Sequence, residues 1–298
     1  MKSKRVMVID AFCDKPFQGN PCAVLPDARE LSDEEMLLIA KEMNLSETSF
    51  VLPSEKANFR VRYFTPRGEL PFAGHPTIAT SLMLAQENMI QITGNTTAIS
   101  LEFNIGVLPV EISSQNGKPN QAVMQLTAPV FGKTVSREKS ARCFKDIDPE
   151  DIRSDCPCQV VGTGTNFLII PLMTSSKLSN ITMNRDNLMA VVDEMGVSAA
   201  YVFTKGGFSQ ETQLSGRLCD PRNTFEDPYT GSAVGAVGAY VIHYELLTGD
   251  HIQVEQGHFI GRPGVGQLFI EHDGKEIRSI KLGGSGVKVS DGYIFLED

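Results

Sequence analysis

The length, composition and charge of the chain exclude several classes of protein. Its 298 residues are 41% hydrophobic and 21% charged, which is typical of a globular protein with two domains of about 150 residues. The net charge of -9 argues against a nucleic-acid partner, because phosphate contacts require a basic surface.

Two apolar segments bear on where the protein is located in the cell. The apolar run Val6–Ile9 is too short for a signal peptide. The longest charge-free apolar segment of interest, Ser232–Tyr244, has 13 residues, whereas a membrane span requires about 20. We therefore expect a cytoplasmic protein with no membrane partner.

Six cysteines show no spacing typical of a disulfide framework or a metal site. Cys156-Pro157-Cys158 is the only close pair, and no histidine lies near it in the sequence. We expect free, reduced thiols and no bound metal.

In chain order, short strands alternate with a few helices. Runs rich in β-branched or aromatic residues predict strands at Val6–Asp10, Thr48–Leu52, Arg60–Phe64, Val107–Ile112, Ala122–Leu126, Phe167–Pro171, Tyr201–Thr204 and Gly266–Glu271. The first helix is predicted over Asp33–Met43, because Ser32-x-x-Glu35 forms a capping box before it. Asn44 suits a left-handed C-terminal stop.

Two further helices are predicted to be buried on all sides. Pro76–Gln86 and Ala233–Tyr244 are apolar on nearly every face, so other structure must surround each of them. Since short strands flank both, the sequence predicts a strongly curled sheet around each helix.

The segments that lead into these helices resemble each other. Arg62-x-x-x-Pro66-Arg67 recurs 155 residues later as Arg217-x-x-x-Pro221-Arg222, and Gly74 recurs 157 residues later as Gly231. This spacing is close to half the chain length and favours a duplicated domain, although the match is short enough to arise by chance.

The two helix starts are candidate binding sites for an anion. The first backbone N–H groups of a helix have no intrahelical partner, and the helix dipole favours negative charge there. Gly74 and Gly231 permit close approach of a ligand, and His75 and Ser232 add side-chain donors. The alternative is that both are ordinary helix starts with a closely packed glycine.

Two acidic residues are candidates for proton transfer. Glu47 lies between the stop of the first helix and an apolar strand, where nearby apolar groups tend to raise the pKa of a carboxyl group. The alternative interpretation is that Glu47 is a carboxylate in a surface cap or turn. Asp227 lies three residues before Thr230-Gly231, and it either caps the second buried helix or points into a cleft.

Several motifs, taken together, resemble the phenazine-biosynthesis isomerase family (PhzF-like proteins), whose fold is shared with diaminopimelate epimerases. The resemblance covers essentially the whole chain. It depends on the order and spacing of Asp10-Ala11-Phe12, Phe17-x-Gly19-Asn20-Pro21, Leu45-Ser46-Glu47-Thr48-x-Phe50-Val51, Tyr63-Phe64-Thr65-Pro66, Gly74-His75-Pro76-Thr77, Glu226-Asp227-Pro228-Tyr229-Thr230-Gly231-Ser232-Ala233, Gln256-Gly257 and Arg262-Pro263.

The resemblance implies an α+β fold of two similar domains, each a barrel-like curled sheet around a central helix. We place these domains at 1–118, with the C-terminal strands 283–298 as a candidate addition, and at 119–282, with an active-site cleft between them. The family also suggests a homodimer.

The resemblance further implies roles for the candidate residues. Glu47 would be the acid/base that removes a proton from one substrate carbon and returns one to another, assisted by His75 and Asp227. Gly74, Gly231 and Ser232, with neighbouring amides, would hold the substrate carboxylate. No metal or organic cofactor is implied.

One departure from related families is informative. Diaminopimelate epimerases and proline racemases use two cysteines, one immediately before each helix-start glycine. Here those positions are Ala73 and Thr230, so a two-thiol mechanism is excluded. The sequence therefore predicts an isomerase acting on a small anionic metabolite by carboxylate acid/base chemistry. The alternative is a non-catalytic small-molecule-binding or interaction protein that keeps the fold.

Overall fold

The computed structural model describes residues 2–297, which fold into two compact units. Unit 2 is Leu126–Leu282, and unit 1 comprises the remaining described residues, 2–125 and 283–297. The helices are α1 (Asp33–Met43), α2 (Gly74–Gln86), α3 (Arg137–Ala141), α4 (Ser175–Asn180), α5 (Arg185–Met195) and α6 (Gly231–His243), with short 3-10 helices at Pro149–Asp151 and His258–Ile260. None of the helices within residues 2–297 combines the length and the apolar character that a membrane crossing requires.

Most of the secondary structure is β-strand. The strands are β1 (Lys2–Ala11), β2 (Asn20–Leu25), β3 (Thr48–Leu52), β4 (Phe59–Thr65), β5 (Gly68–Leu70), β6 (Thr96–Phe103), β7 (Gly106–Gln115), β8 (Lys118–Gln125), β9 (Val130–Val135), β10 (Cys158–Gly162), β11 (Asn166–Pro171), β12 (Ala200–Lys205), β13 (Leu214–Cys219), β14 (His251–Gln256), β15 (Gly264–Asp273), β16 (Glu276–Gly284) and β17 (Gly286–Leu296). All eight predicted strands are present, with ends that differ by a few residues.

Helix α1 begins and ends where the sequence predicts. The backbone N–H of Glu35 donates to the Ser32 hydroxyl at 3.2 Å, and that of Ser32 donates to the Glu35 carboxylate at 2.6 Å. Asn44 ends the helix in the left-handed conformation with a φ of 49°. The predicted capping box and C-terminal stop are both confirmed.

We expect Ser32→Ala to lower the free energy of unfolding by about 0.5–2 kcal/mol, because it removes the acceptor for an N–H group that has no intrahelical partner. Urea denaturation of the variant and the wild type measures this loss. Ser290→Ala, at an exposed position of β17, is the control. Equal stability of the two variants would mean that the capping box contributes little.

Helices α2 and α6 are buried as predicted, but both begin two residues earlier than the sequence suggested, at Gly74 and Gly231 rather than Pro76 and Ala233. Every residue from His75 to Ala85 is buried. In unit 1, α2 packs against β1, β2, β3, β7, β8 and β17; in unit 2, α6 packs against β10, β11, β12 and β15. The predicted α+β fold, with a curled sheet around a central helix in each of two similar domains, is confirmed.

The two units repeat the same order of strand pairings. In unit 1 the successive pairs β1–β2, β2–β3, β3–β4, β4–β6 and β6–β7 are antiparallel, parallel, antiparallel, parallel and antiparallel. In unit 2 the pairs β10–β11, β11–β12, β12–β13, β13–β14 and β14–β15 follow the same sequence. Each buried helix also occupies the same place in this order, after β4 and β5 in unit 1 and after β13 in unit 2. A duplicated topology explains why two short sequence segments resemble each other.

Candidate active site

In unit 1 the structure brings Glu47 to the start of α2. Glu47 immediately precedes β3, and its side chain is 17% exposed. Its Oε2 atom lies 3.4 Å from Nδ1 of His75, the second residue of α2. Two candidate residues that are 28 positions apart in the sequence therefore lie side by side.

A layer of buried hydroxyl groups fixes α2 against the strands beneath this contact. The Ser49 and Thr80 hydroxyls lie 2.7 Å apart, and the Tyr63 hydroxyl lies 2.9 Å from that of Thr77. Thr77 in turn donates to the Ala73 carbonyl at 2.7 Å. Because these groups are hydrogen-bonded, polar residues on an otherwise apolar helix can be buried without a large desolvation penalty.

His75 is a neutral imidazole at neutral pH. Burial lowers its pKa to about 3, although a hydrogen bond to the Pro21 carbonyl favours the protonated form. The contact with Glu47 is therefore between a carboxyl group and a neutral ring, not an ion pair. A neutral imidazole offers one donor and one acceptor nitrogen.

The lowered pKa of His75 predicts a pH-dependent contribution to stability. The unfolded chain protonates this histidine near its ordinary pKa of 6.5, whereas the folded chain does so only near 3. The unfolded state therefore binds more protons between these values. The stability that His75 contributes is complete above pH 6.5 and declines toward pH 3, by up to about 1.4 kcal/mol per pH unit.

Unfolding free energies of the wild type and His75→Asn, measured from pH 7 to pH 4, test this contribution. We expect the unfolding free energy of the wild type to fall more steeply than that of the variant. The difference between the two free energies should therefore narrow as the pH falls. Parallel profiles would show that His75 is not held neutral by the fold.

The start of α2 is open to a ligand. The residue before it, Ala73, provides no side-chain hydrogen bond to the first turn. A Cβ atom placed on Gly74 would meet no atom within 4 Å. The first amides of α2 thus follow an N-cap residue that supplies no side-chain cap, and Glu47 lies against the second residue of the helix, His75.

In unit 2 the corresponding helix start carries Asp227. Its Oδ2 atom accepts a hydrogen bond from the Thr230 hydroxyl at 2.5 Å. The side chain of Gln256, which is buried, donates to the Asp227 carbonyl at 2.7 Å and accepts from the Thr230 N–H at 3.1 Å. The N-cap residue Thr230 makes no side-chain hydrogen bond to the first turn of α6, and its hydroxyl donates to Asp227 instead.

Gly231 and Ser232 form the first turn of α6. Gly231 is buried and Ser232 is half-buried. The Thr163 hydroxyl donates to the Ser232 carbonyl at 3.1 Å and joins the helix start to the segment after β10. Unit 2 therefore places Asp227, Gly231 and Ser232 around one helix terminus.

An Arg–Glu ion pair is repeated beside each helix start and was missed in the sequence. Arg62 binds both oxygens of Glu69 at 2.7 Å, and Arg217 binds Glu226 through two nitrogens at 2.8–3.3 Å. Glu226 follows Glu69 by 157 positions, the same spacing that separates the two helix-start glycines. That spacing was the signal that could have identified the pair.

No thiol occupies a position suited to a proton-transferring base. All six cysteines are buried thiols outside any disulfide. Burial and the charge of Glu47 raise the pKa of the Cys22 thiol well above its ordinary value, so this cysteine near Glu47 stays protonated. Within residues 2–297, no three His, Cys, Asp or Glu side chains are grouped as metal ligands.

Each unit thus has a carboxylate near the start of a buried helix, on a duplicated fold of curled sheets. The chain belongs to the family described as phenazine biosynthesis-like protein, which it matches over residues 9–292. This membership confirms the resemblance seen in the sequence motifs.

Individual relatives extend the match. The chain is 31% identical to an uncharacterized isomerase of Clostridium acetobutylicum, over 94% of each protein. It is also 31% identical to trans-2,3-dihydro-3-hydroxyanthranilate isomerase of Pseudomonas aeruginosa, covering 98% of this chain and 99% of that protein. The crystal structure of a PhzF-family phenazine biosynthesis protein of Bacillus anthracis matches with a TM-score of 0.89 and 30% identity, over 99% of this chain and all of that chain. The names of the first two relatives support an isomerase enzyme.

Proposed function

We propose that the protein is an isomerase that moves a proton between carbons of a small carboxylate-bearing metabolite without a cofactor. The observation that carries this proposal is the contact between Glu47 and His75 at the open start of α2. This contact supports the proposal because a carboxylate can accept a proton, and the first amides of a helix suit an anionic ligand. The isomerase names of the relatives agree with this chemistry.

Glu47 acts as the base and then as the acid. Its carboxylate takes a proton from a substrate carbon, and the electron pair of the broken C–H bond enters the π system of the substrate. The protonated Glu47 then gives a proton to another carbon, so that the product has the same atoms as the substrate. The neutral ring of His75 lies beside one oxygen of Glu47, and we assign the other oxygen to the substrate. Such contacts are often long in unliganded enzymes and shorten when the substrate binds.

We assign the substrate carboxylate to the first-turn amides of the helix starts, at Gly74 and at Gly231 with Ser232. Anions are stabilised at helix N-termini by unpaired N–H groups and by the helix dipole. The support for this assignment is that the N-cap residues Ala73 and Thr230 make no side-chain hydrogen bond to the first turn of their helices. Asp227, held by Thr230 and Gln256, serves as the second group that assists proton transfer.

The experiment that tests this function is isomerisation in D₂O. The protein is incubated with trans-2,3-dihydro-3-hydroxyanthranilate, the compound in the name of the Pseudomonas relative, and with a panel of unsaturated carboxylates. We expect a product isomer that contains deuterium on carbon, detected by mass spectrometry and NMR. Tight binding with no product and no label in any carboxylate would favour a binding protein instead.

A further inference from the structure

Two exposed phenylalanines share an unusual attachment to the fold. The side chain of Phe17 is 73% exposed, and its backbone N–H donates to Oδ2 of Asp10 at 2.7 Å. The side chain of Phe208 is 55% exposed, and its N–H donates to Oε2 of Glu255 at 2.6 Å. Asp10 and Glu255 are themselves only 1% and 2% exposed. Each unit therefore uses a buried carboxylate to hold an exposed aromatic residue.

The anchor in unit 2 is built with several groups. Glu255 also accepts hydrogen bonds from the Ser209 N–H at 3.0 Å and the Thr212 hydroxyl at 2.9 Å. A Cβ atom on Gly207 would lie 2.6 Å from the Glu255 carboxylate, so only glycine fits there. A buried carboxylate is costly unless such donors compensate it. Three hydrogen bonds to Glu255 therefore tie this loop to β14.

The anchor in unit 1 holds a strained residue. Phe17 has a φ of 68°, a left-handed conformation that a bulky side chain rarely adopts. Strain of this kind persists where the surrounding structure enforces it, and it is concentrated at functional sites. Here the hydrogen bond to buried Asp10 enforces it and leaves the Phe17 ring exposed.

Both loops adjoin the residues of the site in their own unit. The loop of Phe17 leads into Pro21, whose carbonyl is hydrogen-bonded to His75. In unit 2 the Phe208 ring stacks on His258, with centroids 4.2 Å apart. His258 follows Gly257, where a Cβ atom would lie 2.7 Å from the carbonyl of Pro228, the residue after Asp227.

We propose that Phe17 and Phe208 are specificity-determining residues, each of which contacts the apolar body of a carboxylate bound at the helix start of its own unit. This inference rests on the proposed function, because it assumes that a carboxylate occupies the helix starts. An exposed ring whose backbone N–H is hydrogen-bonded to a buried carboxyl group then provides apolar area at a lower entropic cost than a loop that must be ordered upon binding.

The chain contains no tryptophan, so the fluorescence of a single introduced tryptophan reports only on the surroundings of that residue. We would compare the fluorescence of Phe17→Trp and Phe208→Trp with that of Phe295→Trp, whose position on β17 is 66% exposed. The probes are benzoate, a flat apolar carboxylate, and acetate, which has almost no apolar body. We expect a saturable change in emission with benzoate at the first two positions only, and a much smaller response to acetate. The proposal would be overturned if benzoate changed the emission at neither position, or if it changed the emission of Phe295→Trp equally.

Alanine variants give a second readout that does not depend on an indole fitting in either loop. With a substrate identified by isomerisation in D₂O, Phe17→Ala and Phe208→Ala should each raise KM by roughly 10-fold or more, since that is the contribution expected from burying a phenyl ring. The kcat value should change little, and Phe295→Ala should match the wild type. An unchanged KM in both variants would also contradict the assignment.

The two proposals fail in different ways. If carboxylates take up deuterium but the indoles stay silent and KM is unchanged, the rings have no role and the isomerase function stands. If benzoate changes the indole emission but no carboxylate is isomerised or labelled, the apolar contact stands and the isomerase function fails.

Discussion

Glu47→Gln is expected to lower kcat by roughly 10²–10⁴-fold, the usual contribution of a positioned general acid or base. Glutamine keeps the size and most of the hydrogen bonding of glutamate, but it cannot take up and return a proton. Steady-state kinetics on the substrate identified in D₂O measure the loss. KM should change far less than kcat, because the carboxylate of the substrate is assigned to backbone amides and not to Glu47.

Glu42→Gln is the matched control for this variant. Glu42 lies on α1, is exposed, and precedes Glu47 by five positions. The Glu42→Gln substitution removes one negative charge from a nearby part of the chain and leaves the start of α2 unchanged. Equal kcat values for Glu47→Gln and the wild type would show that another group transfers the proton.

Gly257→Ala is expected to be strongly destabilising, by about 2–4 kcal/mol. Gly257 has a φ of 87°, and a Cβ atom there would lie 2.2 Å from the Arg262 carbonyl and 2.7 Å from that of Pro228. Both contacts are with backbone, which cannot move aside as a side chain can. The cost therefore combines about 1 kcal/mol for a left-handed alanine with about 1–3 kcal/mol for overpacking.

Gly261→Ala separates these two contributions. Gly261 has a similar φ of 74°, but a Cβ atom there would meet nothing within 4 Å, so only the conformational cost of about 1 kcal/mol remains. Thermal or urea denaturation of both variants measures the difference. Because Pro228 follows Asp227, Gly257→Ala should also reduce activity, whereas Gly261→Ala should not. Equal loss of stability would contradict the packing seen around Gly257.

The elements that could be predicted are those with local signals. The capping box of α1, the uncharged and largely apolar sequences of α2 and α6, and the apolar strand β3 each lie within 13 residues or fewer. The C-terminal strands were expected within residues 283–298, but the continuous strand β17 (Gly286–Leu296) was not, because Ser290-Asp291-Gly292 interrupts its apolar pattern in the manner of a turn. It forms instead by pairing with β1 from the other end of the chain, and no local pattern encodes such a partner.

The site could be predicted only as a set of candidates. The sequence indicated Glu47 and His75 separately, but the contact between them depends on how β3 packs against α2. That packing includes hydroxyl pairs such as Ser49 and Thr80. Gln256 appeared only as part of a motif, and its role in holding Asp227 became visible from its hydrogen bonds. Buried polar networks of this kind join residues that are distant in the chain, so they leave no periodic signal.

The most direct test of the central claim is the rate at which substrate and product acquire deuterium on carbon in D₂O, measured by NMR for the wild type and Glu47→Gln. Unlike turnover, label uptake reports the breaking and forming of C–H bonds themselves. We predict that the wild type incorporates deuterium and that Glu47→Gln loses this activity while keeping its fold. Incorporation by Glu47→Gln at the wild-type rate would contradict the assignment of Glu47 as the acid/base.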